Sequence, residues 1–313
     1  MKSRLLVTGS IALDRIAVFN GRFAEHILPE KVHRLNVCFS VDDMTINHGG
    51  TGANIAYSLA LMGEKPLLMG AVGEDAKDYV VALGKKKIDC THVLEIPKKL
   101  TAHATIMTDM EDNQITGFYT GAMADAKKLH VTNAKTSDTR LEFAIIAPND
   151  VSAMCQYADE CFEVGVPFIA DPGQAIPAFS KEDLTEFITG AHVLICNDYE
   201  WDMIQEKTGM TLKEVTDKAL YLIVTYGENG SKIWMSGTAT VIDIPAIKPE
   251  KIVDPTGCGD AYRAGLMYGM MHNYSIEQSA HIGAWMASKA IEKKGTQNHK
   301  IDKKEFEKFL KKI

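Results

Sequence analysis

The spacing of apolar and polar positions changes several times along the chain, and each change predicts an element. An apolar run at Leu5–Thr8, stopped by Gly9 and then Asp14, predicts a first β-strand. From Asp14 to Asn47 the pattern alternates poorly and shows no strong helix. Within it, VHRLNVCFSVDDMTIN is rich in β-branched residues and predicts a strand pair or one long strand. GGTGANIAYSLALMG then takes up helical spacing, with Ala53, Ala56, Tyr57, Ala60 and Leu61 on one face and Gly63 closing it. PLLMGAV predicts a strand, Asp75 to about Lys86 a helix, and TAHATIMTDMEDNQITGFYT a hairpin turning at MEDNQ.

Beyond residue 120 the runs FAIIA, PFIAD, HVLIC and LYLIVT alternate with helical stretches. Those stretches lie near 150–163, after Ser180, from Asn197, and near 211–218. Short apolar runs separated by helices indicate a parallel sheet covered on both faces. KIWMSG and TATVIDI add a strand pair, followed by a glycine loop and two long helices. The expected fold is therefore α/β with a mostly parallel central sheet. The β-rich pieces at about 14–47 and 97–119 interrupt this alternation and fit a small sheet set against the main body, a lid. No internal repeat or low-complexity linker divides the chain.

Composition changes this picture little. A formal net charge of −7 argues against a nucleic-acid binder. The six cysteines contain no C-x-x-C pair and no metal-ligand spacing to histidine, so a reducing cytoplasm is the expected home. No segment approaches the length that spans a bilayer. In the basic C-terminal stretch, Phe306, Phe309 and Leu310 form one stripe of a solvated closing helix.

Candidate chemistry concentrates where glycines precede helices. In VDPTGCGDAYRAG, Gly257 and Gly259 let the backbone approach a ligand, and free N–H groups at a helix start attract a phosphate. Asp260 beside that phosphate could accept a hydroxyl proton late in a phosphoryl transfer; the bland alternative is an ordinary Gly-rich loop. Ala261, Gly265 and Gly269 form a ridge suited to close helix packing. NHGGTGAN lacks the lysine of a P-loop and does not match G-x-G-x-x-G. Asn197 and Glu200 could serve a hydrated Mg²⁺, or form a capping box. TYGENG places Thr225, Gly227 and Gly230 at the end of a parallel strand, where such sheets bind ligands.

In order, GGTGAN at 49–54, NDYE at 197–200, TYGENG at 225–230 and DPTGCGDAYRAG at 254–265 resemble the ribokinase (PfkB) family of carbohydrate and nucleoside kinases. VTGSIALD, NGRFAEHILPE, FYTGAM and NDYEWD are similar to its bacterial adenosine kinases. The resemblance implies one ribokinase-like three-layer domain over 1–313, with a small β lid from the segments named above. It implies transfer of the ATP γ-phosphate to the 5′-hydroxyl of adenosine, giving AMP for purine salvage. Asp260 would be the base and the backbone of Gly257, Cys258 and Gly259 the anion hole. Ser10, Asp14, Gly50 and Asn54 would hold the ribose, while Phe118, the Cys38 segment and Gln174 would meet the purine. Thr225, Gly227, Asn229 and Gly230 would line the ATP site, and Asn197 and Glu200 would serve Mg²⁺, Glu200 through water. Asp254 and Thr256 match the family's K⁺ pattern. Ala104 stands where close adenosine kinases carry an aromatic residue, and Cys38 where a hydroxyl is expected, so purine selectivity could shift. Open lid edges would let two copies pair. The alternatives are another nucleoside or sugar kinase of this family, or a nucleoside-binding protein without catalysis.

Overall fold

The structure, a computed structural model, describes residues 2–111, 113–135 and 139–313. Asp112, inside the expected MEDNQ turn, lies outside them. The elements run β1 (Lys2–Thr8), β2 (Ala12–Val18), α1 (Phe23–His26), β3 (Asp43–Gly49), α2 (Thr51–Leu61), β4 (Leu67–Gly73), α3 (Lys77–Lys85) and β5 (Asp89–Ile96). Then follow β6 (Ala102–Thr108), β7 (Gln114–Tyr119), α4 (Val131–Ala134), β8 (Thr139–Ile146), α5 (Val151–Glu163), β9 (Phe168–Ala170) and α6 (Lys181–Ile188). The chain closes with β10 (Val193–Asn197), α7 (Asp198–Thr208), α8 (Leu212–Thr216), β11 (Tyr221–Thr225), β12 (Ser231–Met235), β13 (Val241–Ile244), α9 (Cys258–Met271), α10 (Ile276–Ala290) and α11 (Lys303–Leu310).

Nine strands form one sheet in the order β13-β12-β11-β10-β9-β8-β1-β4-β5. All neighbours pair in parallel except at the β12 and β13 edge, which is antiparallel. Both faces are covered. Leu5 and Val7 of β1 point into a core shared with α2, α3, α9 and α10, while Leu6 points into one shared with α5, α6 and α7. Each such fully buried aliphatic side chain stabilises the fold by about 1.5–3 kcal/mol. The small-residue ridge of α9 does what its spacing suggests. A Cβ on Gly265 would stand 2.6 Å from the Ile282 carbonyl of α10, so only glycine permits this approach.

β3, β2, β6 and β7 form the second, smaller sheet. Its connections to the body all enter or leave at one end, where Ala12 pairs with both Gly49 and Ala102, and His103 with Tyr119. One of those connections is pinned: the N–H and hydroxyl of Thr101 donate to Asp75 Oδ1 at 2.7 and 2.6 Å.

One expectation needs correction, and one strand lay outside the expectations. The stretch VHRLNVCFS does not form a strand; a 3-10 helix spans Pro29–Arg34, and the chain is irregular until β3 begins at Asp43. Its Phe39 instead packs with Phe19, Phe23 and His26 at ring separations of 5.0–5.6 Å, so aromatic contacts replace strand pairing. β5 was not anticipated, because DCTHVLEI is half-buried at most positions and carries no clean alternation.

Candidate active site

Most helices of eight residues or more satisfy their first amides with their own side chains. Asp150, Ser180, Asn197, Ser275 and Asp302 do so for α5, α6, α7, α10 and α11. At α2 and α9 the caps are Gly50 (φ +92°) and Gly257 (φ +81°), with no side-chain acceptor. Positive φ is the conformation that glycine tolerates best. At Gly50 a Cβ would also strike the Ser10 carbonyl at 2.5 Å. The Ser10 hydroxyl accepts from the Thr51 N–H at 3.0 Å, fastening the α2 start to the end of β1. At α9 the Cys258 N–H donates to the Pro255 carbonyl at 3.2 Å, while those of Gly257 and Gly259 find no protein acceptor among the described residues. Open amides at a helix start present partial positive charge to an anion.

Asp260 lies in the first turn of α9, and its Oδ2 accepts from Asn54 Nδ2 at 2.8 Å. Asn54 is aimed by a buried relay. Gln297 Nε2 donates to Asn54 Oδ1 at 2.9 Å and to the Tyr79 hydroxyl at 2.6 Å, and Tyr79 donates onward to the Gly49 carbonyl. Asp260 as a residue is half-buried, and burial pushes its carboxyl up to about 7 against the opposing pull of Asn54 and Arg263. Asp171 and Glu200 push it the same way as burial. A carboxyl so placed can take a proton near neutral pH.

Beneath this mouth lies a second charged group. Asp171, just past β9, is fully buried and accepts two bonds from Arg263, from Nε at 2.5 Å and from Nη2 at 2.6 Å. Burial, and to a lesser degree Glu200, raise the Asp171 carboxyl, but the bidentate guanidinium is the strongest partner it could have, and we take it as ionised. Glu200 Oε2 comes within 3.9 Å of Arg263 Nη2. Asn197 and Glu200 also close the capping box: each side chain accepts from the other's N–H, at 2.7 and 2.8 Å.

The small sheet contributes a row of four paired residues, Asn47, Asp14, Ala104 and Phe118, one from each strand and therefore on one face. Asp14 leans towards the body, where a Cβ on Gly49 would stand 2.6 Å from its Oδ2. Burial raises its carboxyl. Asp14 and Asp260 both raise the Tyr79 phenol electrostatically, though only Asp260 is bonded to the relay, through Asn54. Phe118 is 56% exposed and offers an open aromatic face.

Thr225 ends β11 directly beside Asn197 at the end of β10. Gly227 and Asn229 form an exposed turn after it, closed by Gly230, whose Cβ would strike the Ile244 carbonyl at 2.1 Å. Asp254 staples two loops, accepting from the N–H groups of Thr256 and Gly295 at 2.9 Å each. Burial raises its carboxyl, but those amides and Lys294 outweigh it and hold the group low. Cys38 and Gln174 are exposed and joined to none of these residues by a hydrogen bond among the described ones. The thiol of Cys258 is pushed up to about 11 by burial, so it is no nucleophile. Sequence reasoning passed over Arg263, Asp171, Gln297 and Tyr79. An arginine on the apolar face of α9 was the available signal for the first.

With this geometry in place, known proteins supply a context. The family model described as pfkB family carbohydrate kinase matches residues 14–304. A nucleoside kinase of Methanocaldococcus jannaschii is 32% identical over 298 residues, covering 95% of this chain and 93% of that protein. The structure of Burkholderia thailandensis nucleoside kinase in complex with inosine superposes with a TM-score of 0.85 at 35% identity, covering 98% of this chain and 97% of that one. The same enzyme in complex with ADP-inosine gives 0.83 at 36%, covering 98% and 95%.

Proposed function

This chain belongs to the pfkB carbohydrate kinase family, and from that premise we propose that it transfers the γ-phosphoryl group of ATP to the 5′-hydroxyl of adenosine. The observation that carries the reading is Asp260, aimed by Asn54 at an uncapped helix mouth and raised to about 7. As the 5′-oxygen bonds to phosphorus and the bond to the ADP oxygen breaks, the hydroxyl proton passes to Asp260. The amides of Gly257 and Gly259 face the transferred group. Asp14 accepts the ribose hydroxyls, which favours a ribonucleoside, since a buried carboxylate left unpaired is costly. Phe118 gives the base an aromatic wall. Thr225 and the turn to Gly230 line the ATP side. The small sheet acts as the lid of one continuous kinase domain, and its β7 edge, exposed at every position, suits pairing between two copies.

Among the described residues no cluster of three or more acidic, histidine or cysteine side chains could cage a metal. The donors fit a hydrated Mg²⁺ that arrives on ATP, with Glu200 Oε1 free to hold one of its waters while Oε2 caps α7. Mg²⁺ so bound neutralises charge on the phosphates. Asp254 and Thr256 offer oxygens to K⁺. No helix of the described residues is long and apolar enough to cross a membrane, and six free cysteines suit the cytoplasm.

One observation favours a second reading. Ala104, between Asp14 and Phe118 in the lid row, leaves the base site open, and the Burkholderia enzyme was solved with inosine. Inosine would then serve beside adenosine. The test is coupled ADP release with adenosine, inosine, guanosine, ribose and fructose, with and without K⁺. Adenosine should be phosphorylated; turnover of a free sugar with every nucleoside inert would sink the assignment.

A further inference from the structure

Arg263 is a buried guanidinium one turn below the helix mouth, and nothing in the transfer step above uses it. Its Nε and Nη2 are locked onto Asp171, at the end of a central strand, so it cannot swing away. Nη1 is different: it accepts no such lock and donates to no protein group among the described residues. That nitrogen lies 2.9 Å from where a Cβ of Gly259 would stand, directly under the backbone of the mouth. Three carboxylates act on this guanidinium: Asp171 through Nε and Nη2, Glu200 at 3.9 Å from Nη2, and Asp260 one helical turn away. A site that must receive a polyanion thus sets acidic groups around this guanidinium.

We propose that Arg263, clamped by Asp171, is a positioning residue of the transfer: its guanidinium holds the Gly257–Gly259 mouth in place and positive for the incoming γ-phosphoryl group. The inference rests on the kinase reading. It also gives Gly259 a reason to stay small although its φ is ordinary, because a Cβ there would stand 2.9 Å from Nη1. A preorganised charge of this kind acts without reorganising during the reaction, which is why such groups weigh heavily in catalysis.

Arg263→Met alone would leave Asp171 buried without a partner and could unfold the protein. The deciding variant is therefore the apolar pair Arg263→Met/Asp171→Leu, its fold checked by thermal melting. Calorimetry with ATP and with ADP reads the γ-phosphate contribution, and steady-state kinetics with adenosine reads the transfer. The pair variant should lose the preference for ATP over ADP. Its kcat should fall about 10²-fold, while the adenosine KM moves less than about threefold. A folded pair variant that keeps both the ATP preference and kcat overturns the proposal. Should the pair variant not fold, Arg263→Lys decides, since it keeps the charge but cannot span both Asp171 oxygens. A kcat equal to wild type then overturns the clamp, and a fall of about tenfold at constant adenosine KM supports it. Wild type that binds ATP but phosphorylates no nucleoside defeats the nucleoside-kinase reading instead, and the binding comparison still judges Arg263.

Discussion

The starts of α7 and α9 carry the same sequence device: a helix-starting residue followed three positions later by an acid. At α7, Asn197 and Glu200 satisfy each other's amides and the mouth is shut. At α9, Gly257 has no side chain to offer, and Asp260 turns away from its own helix to Asn54 of α2. The spacing alone therefore says little. What separates a cap from a candidate catalytic acid is whether the first residue can accept a hydrogen bond, and whether a distant donor claims the carboxylate.

The sharpest way to break this contrast is Asp260→Asn. It should lower kcat about 10²–10⁴-fold with ATP binding retained, the usual range for a lost general base. The variant should also be the more stable protein at pH 8, by about 1–3 kcal/mol in denaturant unfolding. Because the folded protein raises this carboxyl to about 7, wild type gives up stability as pH climbs from the ordinary Asp range to neutrality. Asparagine has no proton to lose. In wild type, kcat/KM for adenosine should fall as pH drops below about 7, since the base works deprotonated. A flat profile from pH 5 to 8 would remove Asp260 from that role.

Gly257→Ala comes next. Its φ of +81° and a Cβ 3.0 Å from Thr296 Cγ2 should cost about 1–2 kcal/mol and lower kcat roughly tenfold. The smallest effect belongs to α7. Asn197→Ala should cost about 1 kcal/mol of stability through the lost cap. Glu200→Gln keeps an acceptor for the Asn197 N–H, so stability should hold while the Mg²⁺ concentration for half-maximal rate rises. An unchanged Mg²⁺ dependence would leave Glu200 with the cap alone.

Much of this was legible in the chain because it is local. Helix α2 announces itself by the spacing of Ala53, Tyr57 and Ala60, and the α9 mouth by glycines packed within four residues. What stayed hidden depends on partners far apart in sequence. Asp171 and Arg263 are 92 residues apart, and Asn54 and Gln297 are 243 apart, so no window of spacing could join them. The resemblance implies Asn54 as a ribose ligand; its bond to Asp260, from 206 residues away, is what the chain alone does not show. The β-branched stretch before Asp43 misled for a related reason: a strand needs a partner, and Phe39 found aromatic rings instead.

The tethering of the small sheet along one end has a mechanical consequence. If the small sheet is the lid proposed above, its four chain crossings near one row would act as a line of hinges about which it would swing. Asp14 is two residues from the axis, about 7 Å, and Val18 is six, about 20 Å. A swing of roughly 20° would carry Val18 through about 7 Å but Asp14 through only about 2 Å. In that motion the carboxylate would ride near the pivot and keep its aim, while the far rim would sweep widely.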